Sequence, residues 1–215
     1  MNDVNGAGFK CLVCGGTSSN RWLEQCPDYF RQIGQPVNYR VCTGCGLIQQ
    51  WPIPANIDEL YEEYPVHARR SKAQALARAY LQRQVYYRPE PGHNRARLLD
   101  YGCGDGVYLR EQDGHFDSLV GYEPGAELAE RLSATESFVV YSDTDKLLAG
   151  QHQAIDIITA HYVMEHVTDL HGTMELFQQL LKPGGIVHIA VPNVRSWEAR
   201  LFKRKWHVLD PPRHI

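Results

Sequence analysis

From residue 95 onward, short apolar runs alternate with helical patterns, and that alternation constrains the fold more than any other feature. RARLLDY (95–101), DSLVGYE (117–123), SFVVYS (137–142), AIDIITAHY (154–162) and IVHIAVP (186–192) read as strands. Helical patterns follow in GVYLREQ (106–112), GAELAERLSA (125–134) and residues 169–182. Strands separated by helices predict an α/β fold, a parallel sheet with helices on both faces. Ligands in such sheets bind beyond the carboxyl ends of the strands.

The front of the chain follows a different rule. CLVCGG (Cys11, Cys14) and CTGCGL (Cys42, Cys45) repeat the pattern Cys-x-x-Cys-Gly. Four thiolates from two such turns can close a tetrahedron around zinc, with Zn–S near ~2.3 Å. The 27 residues between Cys14 and Cys42 exceed the common spacing, which is tolerable because loop-closure entropy grows only logarithmically with length. The alternative is a pair of redox-active dithiols; duplication of the motif favours metal. A site closed by four cysteines has no open position, so its zinc is expected to be structural. The glycine after each second cysteine suits a tight turn whose N–H groups point at sulfur. Cys26, between the pairs, reads as a free thiol. Three prolines then flank a short helix near 56–64, and SKAQALARAYLQRQVYYR (71–88) reads as a second helix ending at Pro89, Pro91 and Gly92. The expected division is a zinc-binding segment over 1–54, a helical linker over 55–92 and the α/β domain over 93–215.

LLDYGCGDG (98–106) sits where the first strand of that domain ends. Gly102, Gly104 and Gly106 let the backbone approach a ligand closely. Their spacing, G-x-G-x-G, is not the G-x-G-x-x-G of dinucleotide binders, and Asp105 at the mouth of the next helix would repel a pyrophosphate but attract an ammonium group. This favours a ligand with a cationic amino-acid end over NAD. Glu123 closes the second strand and can accept from both hydroxyls of a ribose; the bland alternative is a solvated strand-end acid. Asp143, just past the third strand, either faces the amino group of an adenine or simply forms a turn with Ser142 and Thr144.

Composition narrows the classes. A formal net charge of -3 offers no global basic field for nucleic acid. No stretch approaches the ~18 apolar residues of a membrane span, and MNDVNGAGFK lacks the apolar core of a secretion signal. The expectation is a cytoplasmic protein with a small-molecule substrate and no membrane or nucleic-acid partner.

Taken together, LLDYGCGDG, GYEP, DIITAHYVMEHV, LLKPGG and VPN resemble class I S-adenosylmethionine-dependent methyltransferases. The double Cys-x-x-Cys-Gly front and the WHVLDPPRH close are similar to bacterial members with an N-terminal zinc-binding segment, many of which act on sugars or small metabolites. The resemblance implies a Rossmann-like domain preceded by a zinc-ribbon-like segment, with S-adenosylmethionine and structural zinc as cofactors. It implies that Gly102, Gly104 and Gly106 line the cofactor, Asp100 supports its methionine end and Glu123 its ribose. Asp143 would then meet the adenine, and His161 and Tyr162 would face the methyl group. Relatives of this kind continue past PPRH into two more strands and a helix. Here IVHIAVP is therefore expected at a sheet edge, either covered by the tail or the zinc-binding segment or paired with a second copy of the chain.

A sulfonium methyl is already activated, so the chemistry needs positioning and one proton acceptor. His161 is the first candidate base by position, and His166 the second; the bland reading of His166 is a loop-orienting or capping side chain. A metal on His161, Glu165 and His166 would need H-x-x-x-E-H, which matches neither zincin spacing. His188 reads as a structural strand residue. In the tail, Trp197, Leu201 and Trp206 are expected on one face of a helix, with Arg200, Lys203, Arg204 and Lys205 around the rest. Such a surface either receives an anionic acceptor, for example a nucleotide-linked sugar, or is a solvated basic face. Arg213 and His214 are weaker candidates for the acceptor pocket. Competing functions are an RNA methyltransferase, a non-catalytic S-adenosylmethionine-binding scaffold and, more distantly, an NAD oxidoreductase.

Overall fold

In the computed structural model, residues 8–29, 34–54, 86–87 and 96–215 are described. The helices expected near 56–64 and 71–88 lie outside them, apart from Tyr86 and Tyr87. The chain divides into two compact units. One comprises 65–164 and 172–191, the other 1–64, 165–171 and 192–215.

The first unit is built on a five-stranded parallel sheet. Its strands, numbered in chain order after the three of the other unit, are β4 (Arg97–Tyr101), β5 (Ser118–Tyr122), β6 (Val139–Tyr141), β7 (Ile155–His161) and β8 (Leu181–Ala190). They lie in the order β6-β5-β4-β7-β8. Helices α1 (Val107–Glu111), α2 (Ala126–Thr135), α3 (Thr144–Gln151) and α4 (Leu170–Leu180) connect them. β4 is central because LLDY is buried on both faces: Leu98 packs with Leu109, Leu132 and Ile157, and Leu99 with Val120, Ile158 and Phe177. The order reverses direction on either side of β4, so the carboxyl ends of β4 and β7 flank the switch point where open α/β sheets bind ligands. This is the predicted Rossmann-like arrangement.

Two details differ from the sequence reading. TDKLLAGQ forms α3, which the sequence reading leaves without an element; only Leu147 of its apolar residues is fully buried, so its periodic signal is weak. β8 begins at Leu181 rather than near Ile186, and its register to β7 jumps between Ile155 and Ile157. Pro183, Gly184 and Gly185 occupy that irregular stretch, where a strand tolerates proline. β8 is at the sheet edge among the described residues.

The second unit carries an antiparallel sheet of β1 (Ser19–Cys26), β2 (Val37–Cys42) and β3 (Ile48–Gln50). Residues 192–215, expected with the α/β domain, pack instead with this sheet. Ala199, Trp206 and Leu209 share a core with Cys26 and Tyr39, and the Tyr39 hydroxyl donates to the His214 carbonyl at 3.1 Å. The tail helix α5 spans only Trp197–Phe202, because Lys203 turns to φ 49. Trp206 is consequently buried while Trp197 and Leu201 stay exposed, so the three do not share one face. No helix among the described residues is long and apolar enough to cross a membrane.

The turn after β4 is closely packed. Gly102 has φ 77, and a Cβ there would collide with the Val163 side chain. Gly102→Ala is expected to lower stability by about 2–5 kcal/mol, from left-handed backbone strain and overpacking together. Gly104→Ala, with φ +54 but nothing within 4 Å of the added Cβ, should cost about 1–2 kcal/mol. Denaturant midpoints of the two variants check the contrast.

Candidate functional site

The carboxyl ends of β4, β5 and β7 hold most of the predicted site. After β4 the chain turns through three left-handed glycines, Gly102, Gly104 and Gly106. The N–H groups of Gly102 and Cys103 both donate to the Tyr122 carbonyl, at 2.8 and 2.9 Å, which ties the turn to the end of β5. Glu123 follows β5 immediately and knits the same turn: Oε2 accepts from the Gly104 N–H and Oε1 from the Gly125 N–H, both at 3.1 Å. Each carboxylate oxygen retains acceptor capacity beyond these bonds. At Gly104 a built Cβ meets open space, so the turn presents bare backbone there. Gly106 begins α1 close against Phe138 and serves packing.

Asp100 lies beneath this turn, 4 % exposed, with Oδ1 accepting from the Thr159 hydroxyl at 2.8 Å. Burial pushes its carboxyl up to about 7, partly offset by that hydrogen bond. His161 ends β7, and its Nδ1 stands 4.0 Å from Asp100 Oδ1, too far for a hydrogen bond, with no other partner. Its Nε2 accepts from the Tyr87 N–H at 3.3 Å and lies 3.1 Å from His188 Nδ1. These contacts place the lone pair on Nε2 and the proton on Nδ1, facing Asp100. Tyr86 stacks on the ring at 4.4 Å and Tyr108 meets it edge-on at 4.9 Å. Burial, then the neighbouring His188, holds His161 down at about 4, so the imidazole is neutral at physiological pH.

Three other candidates are placed differently. Tyr162 follows β7 at φ 58, exposed. Asp143 caps α3, its Oδ1 accepting from the Lys146 N–H at 2.8 Å. His166 belongs to the second unit, where Nδ1 bonds the Arg213 carbonyl at 3.1 Å. Sequence reasoning missed Thr159, Tyr86 and Tyr108, whose only signal was their residue type. His188 was read as structural, and its Nδ1 contacts His161 Nε2, whose lone pair the Tyr87 N–H fixes.

The four cysteines of the front come together as predicted. Cys11 and Cys45 are 3.5 Å apart at sulfur, as are Cys14 and Cys42, and all four sulfurs lie within 4.8 Å of one another. A tetrahedral ion with Zn–S of ~2.3 Å needs sulfurs roughly 3.8 Å apart, so the cluster fits one. The glycines serve tight turns as expected: Gly15 and Gly46, at φ 67 and 80, close the turns onto the Cys11 and Cys42 carbonyls, and neighbouring N–H groups, such as that of Gly16 at Cys14, point at sulfur. Cys42 receives the backbone N–H groups of Cys45 and Gly44, which lower its thiol to about 6 and favour the thiolate. None of the six cysteines is in a disulfide.

A parallel sheet with a glycine turn at the end of its central strand, and an acid closing the next, defines a domain for a nucleoside-type cofactor. Residues 68–215 match the family model of the methyltransferase domain, and the chain belongs to that family. It is 37% identical over 102 residues to a ubiquinone biosynthesis O-methyltransferase of Chelativorans sp., covering 45% of this chain and 40% of that protein. A ubiquinone biosynthesis O-methyltransferase of Pectobacterium carotovorum is 29% identical over 125 residues, covering 54% of this chain and 52% of the relative. The chain thus spans about half the length of the curated relatives it matches. Among solved structures, a SAM-dependent methyltransferase of Archaeoglobus fulgidus is 20% identical with a TM-score of 0.45, covering 60% of this chain and 58% of that one.

Asp100 gives the site a pH signature. Its folded value, near 7, exceeds the ordinary 3.8, so between about pH 4 and 7 the native state keeps a proton that the unfolded chain has released. Stability therefore falls as pH rises through that window, on the order of a few kcal/mol. Asp100→Asn keeps an acceptor for Thr159 and should flatten the dependence, read as denaturant midpoints at pH 5 and 8.

Proposed function

We propose that the chain is an S-adenosylmethionine-dependent methyltransferase acting on an oxygen of a small polar acceptor, in the cytoplasm, with structural zinc on Cys11, Cys14, Cys42 and Cys45. The observation that carries the reading is the open backbone at Gly104, bracketed by Asp100 below and Glu123 beside it. A nucleoside with a charged amino-acid end matches those groups: Glu123 toward the ribose hydroxyls, the glycine turn and Asp100 toward the amino-acid end, and Asp143 beside the base. Glu123 already holds the turn through Gly104 and Gly125, so ribose hydroxyls would complete a carboxylate that is preoriented. S-adenosylmethionine, when bound, supplies a methyl group activated on a sulfonium.

His161 is the proposed proton acceptor, with Tyr162 beside it on the rim. Its neutral form persists down to about pH 4, so it carries no extra proton near neutral pH, and burial makes it a weaker base than a free imidazole. Proton uptake at Nε2 requires that nitrogen to exchange its bonds to Tyr87 and His188 for one to the acceptor. His166 is the second candidate. The name of the curated relatives supports oxygen as the acceptor atom. In the second unit, a cavity of about 490 Å³ lined by Trp22, Ile48, Val194, Arg195 and Arg200 supports an anionic, ring-bearing compound such as a nucleotide-linked sugar. The open edge of β8 supports pairing with a second copy.

Calorimetry of the zinc-loaded chain with S-adenosylhomocysteine and, separately, NAD tests the reading. Saturable binding of the first alone is expected, weakened at least tenfold by Glu123→Ala. No binding by a folded chain, or equal binding of NAD, contradicts it; binding without methyl transfer to any acceptor points to a scaffold instead.

A further inference from the structure

The second unit contains a group of side chains, Glu165, His166 and His214, of which the methyl-transfer reading uses only His166, as its second candidate base. Glu165 and His166 follow β7 in a one-turn 3-10 helix, Met164–His166, and His214 comes from the end of the chain. One ligand atom from each lies within 4.8 Å of the other two. His214 Nε2 and Glu165 Oε1 are 4.0 Å apart. The Glu165 side chain is 9 % exposed, and neither carboxylate oxygen has a hydrogen-bond partner. A buried carboxylate without a donor is costly, and it persists when a cation or a bound group satisfies it.

The two imidazoles are oriented as metal ligands are. His166 Nδ1 donates to the Arg213 carbonyl at 3.1 Å, which fixes the tautomer with the lone pair on Nε2; metal-bound histidines usually donate their other nitrogen to a carbonyl or carboxylate. His214 makes its own backbone hydrogen bond with Val208. The two rings meet at 4.6 Å and 68°. Neighbouring groups are tied to one another: Arg213, 1 % exposed, bonds Asp28 at 3.3 Å and Asp210, and the Ile215 N–H donates to the Glu165 carbonyl at 2.9 Å. Asp210 Oδ2 is 4.0 Å from His214 Nε2, but it already accepts from Arg213 Nε at 3.0 Å and acts as support.

We infer that Glu165, His166 and His214 form a binding site for a divalent transition-metal ion, separate from the four-cysteine cluster. Two imidazoles and one carboxylate suit Zn²⁺, Co²⁺ or Fe²⁺ rather than Mg²⁺ or Ca²⁺. Ligand atoms around such an ion lie about 3–3.5 Å apart, so binding draws the three together by up to roughly 1.5 Å. Three protein ligands leave a coordination position open, in contrast to the closed cysteine site. The inference is independent of the methyl-transfer reading.

Equilibrating the full chain, reduced, with Co²⁺ separates the two sites by spectrum and stoichiometry. Two equivalents are expected, only one of them giving thiolate-to-metal charge transfer. Glu165→Gln and His214→Gln should each reduce the count to one and leave the thiolate band unchanged. One equivalent in the wild-type chain, or two retained in both variants, overturns the inference. As a check free of substitutions, zinc should shift the ring ¹⁵N resonances of two of the ten histidines; ring resonances that all stay in place overturn it as well.

Discussion

Everything in the first unit turns on how closely the end of β4 can approach its neighbours. Gly102 sits against Val163 with no room for a Cβ, and two successive amides bond a single carbonyl of β5. That contact bends the chain sharply at the carboxyl edge of the sheet. The bend in turn exposes bare backbone at Gly104 and brings the Glu123 carboxylate onto its amide. A side chain at Gly102 would push the turn away from β7, and the bracket around Gly104 would open with it.

Beneath the turn, burial selects protonation states rather than strong ion pairs. Asp100 is driven toward its neutral form and His161 is held neutral, so two groups 4.0 Å apart form no salt bridge. A cationic ligand end arriving above Asp100 would reverse that balance by favouring the carboxylate. The Tyr87 backbone N–H matters for the same reason, since it decides which imidazole nitrogen of His161 carries the proton, with His188 beside it.

Much of this was legible in the residues. The central strands β4 and β7 showed as apolar runs because both their faces are buried, and the glycine turn and Glu123 declared themselves by position at strand ends. The cysteine pairs were legible because four thiols at short spacing have few other uses. Less was readable where tertiary packing overrode local pattern. α3 has too little apolar periodicity to stand out. The tail looked like one long amphipathic helix, yet Lys203 breaks it and Trp206 turns into the core beside Cys26 and Tyr39. The meeting of Glu165 and His166 with His214 joins residues 48 or more positions apart, and no local signal carries such a contact.

The central claim is that a nucleoside cofactor lies over the glycine turn and against Glu123. Amide hydrogen exchange with and without S-adenosylhomocysteine tests it most directly. The account predicts added protection at Gly102–Gly106 and at Glu123–Gly125, with residues 19–26 of the antiparallel sheet unchanged. Protection confined to the antiparallel sheet, or none at the glycine turn under saturating ligand, would contradict it.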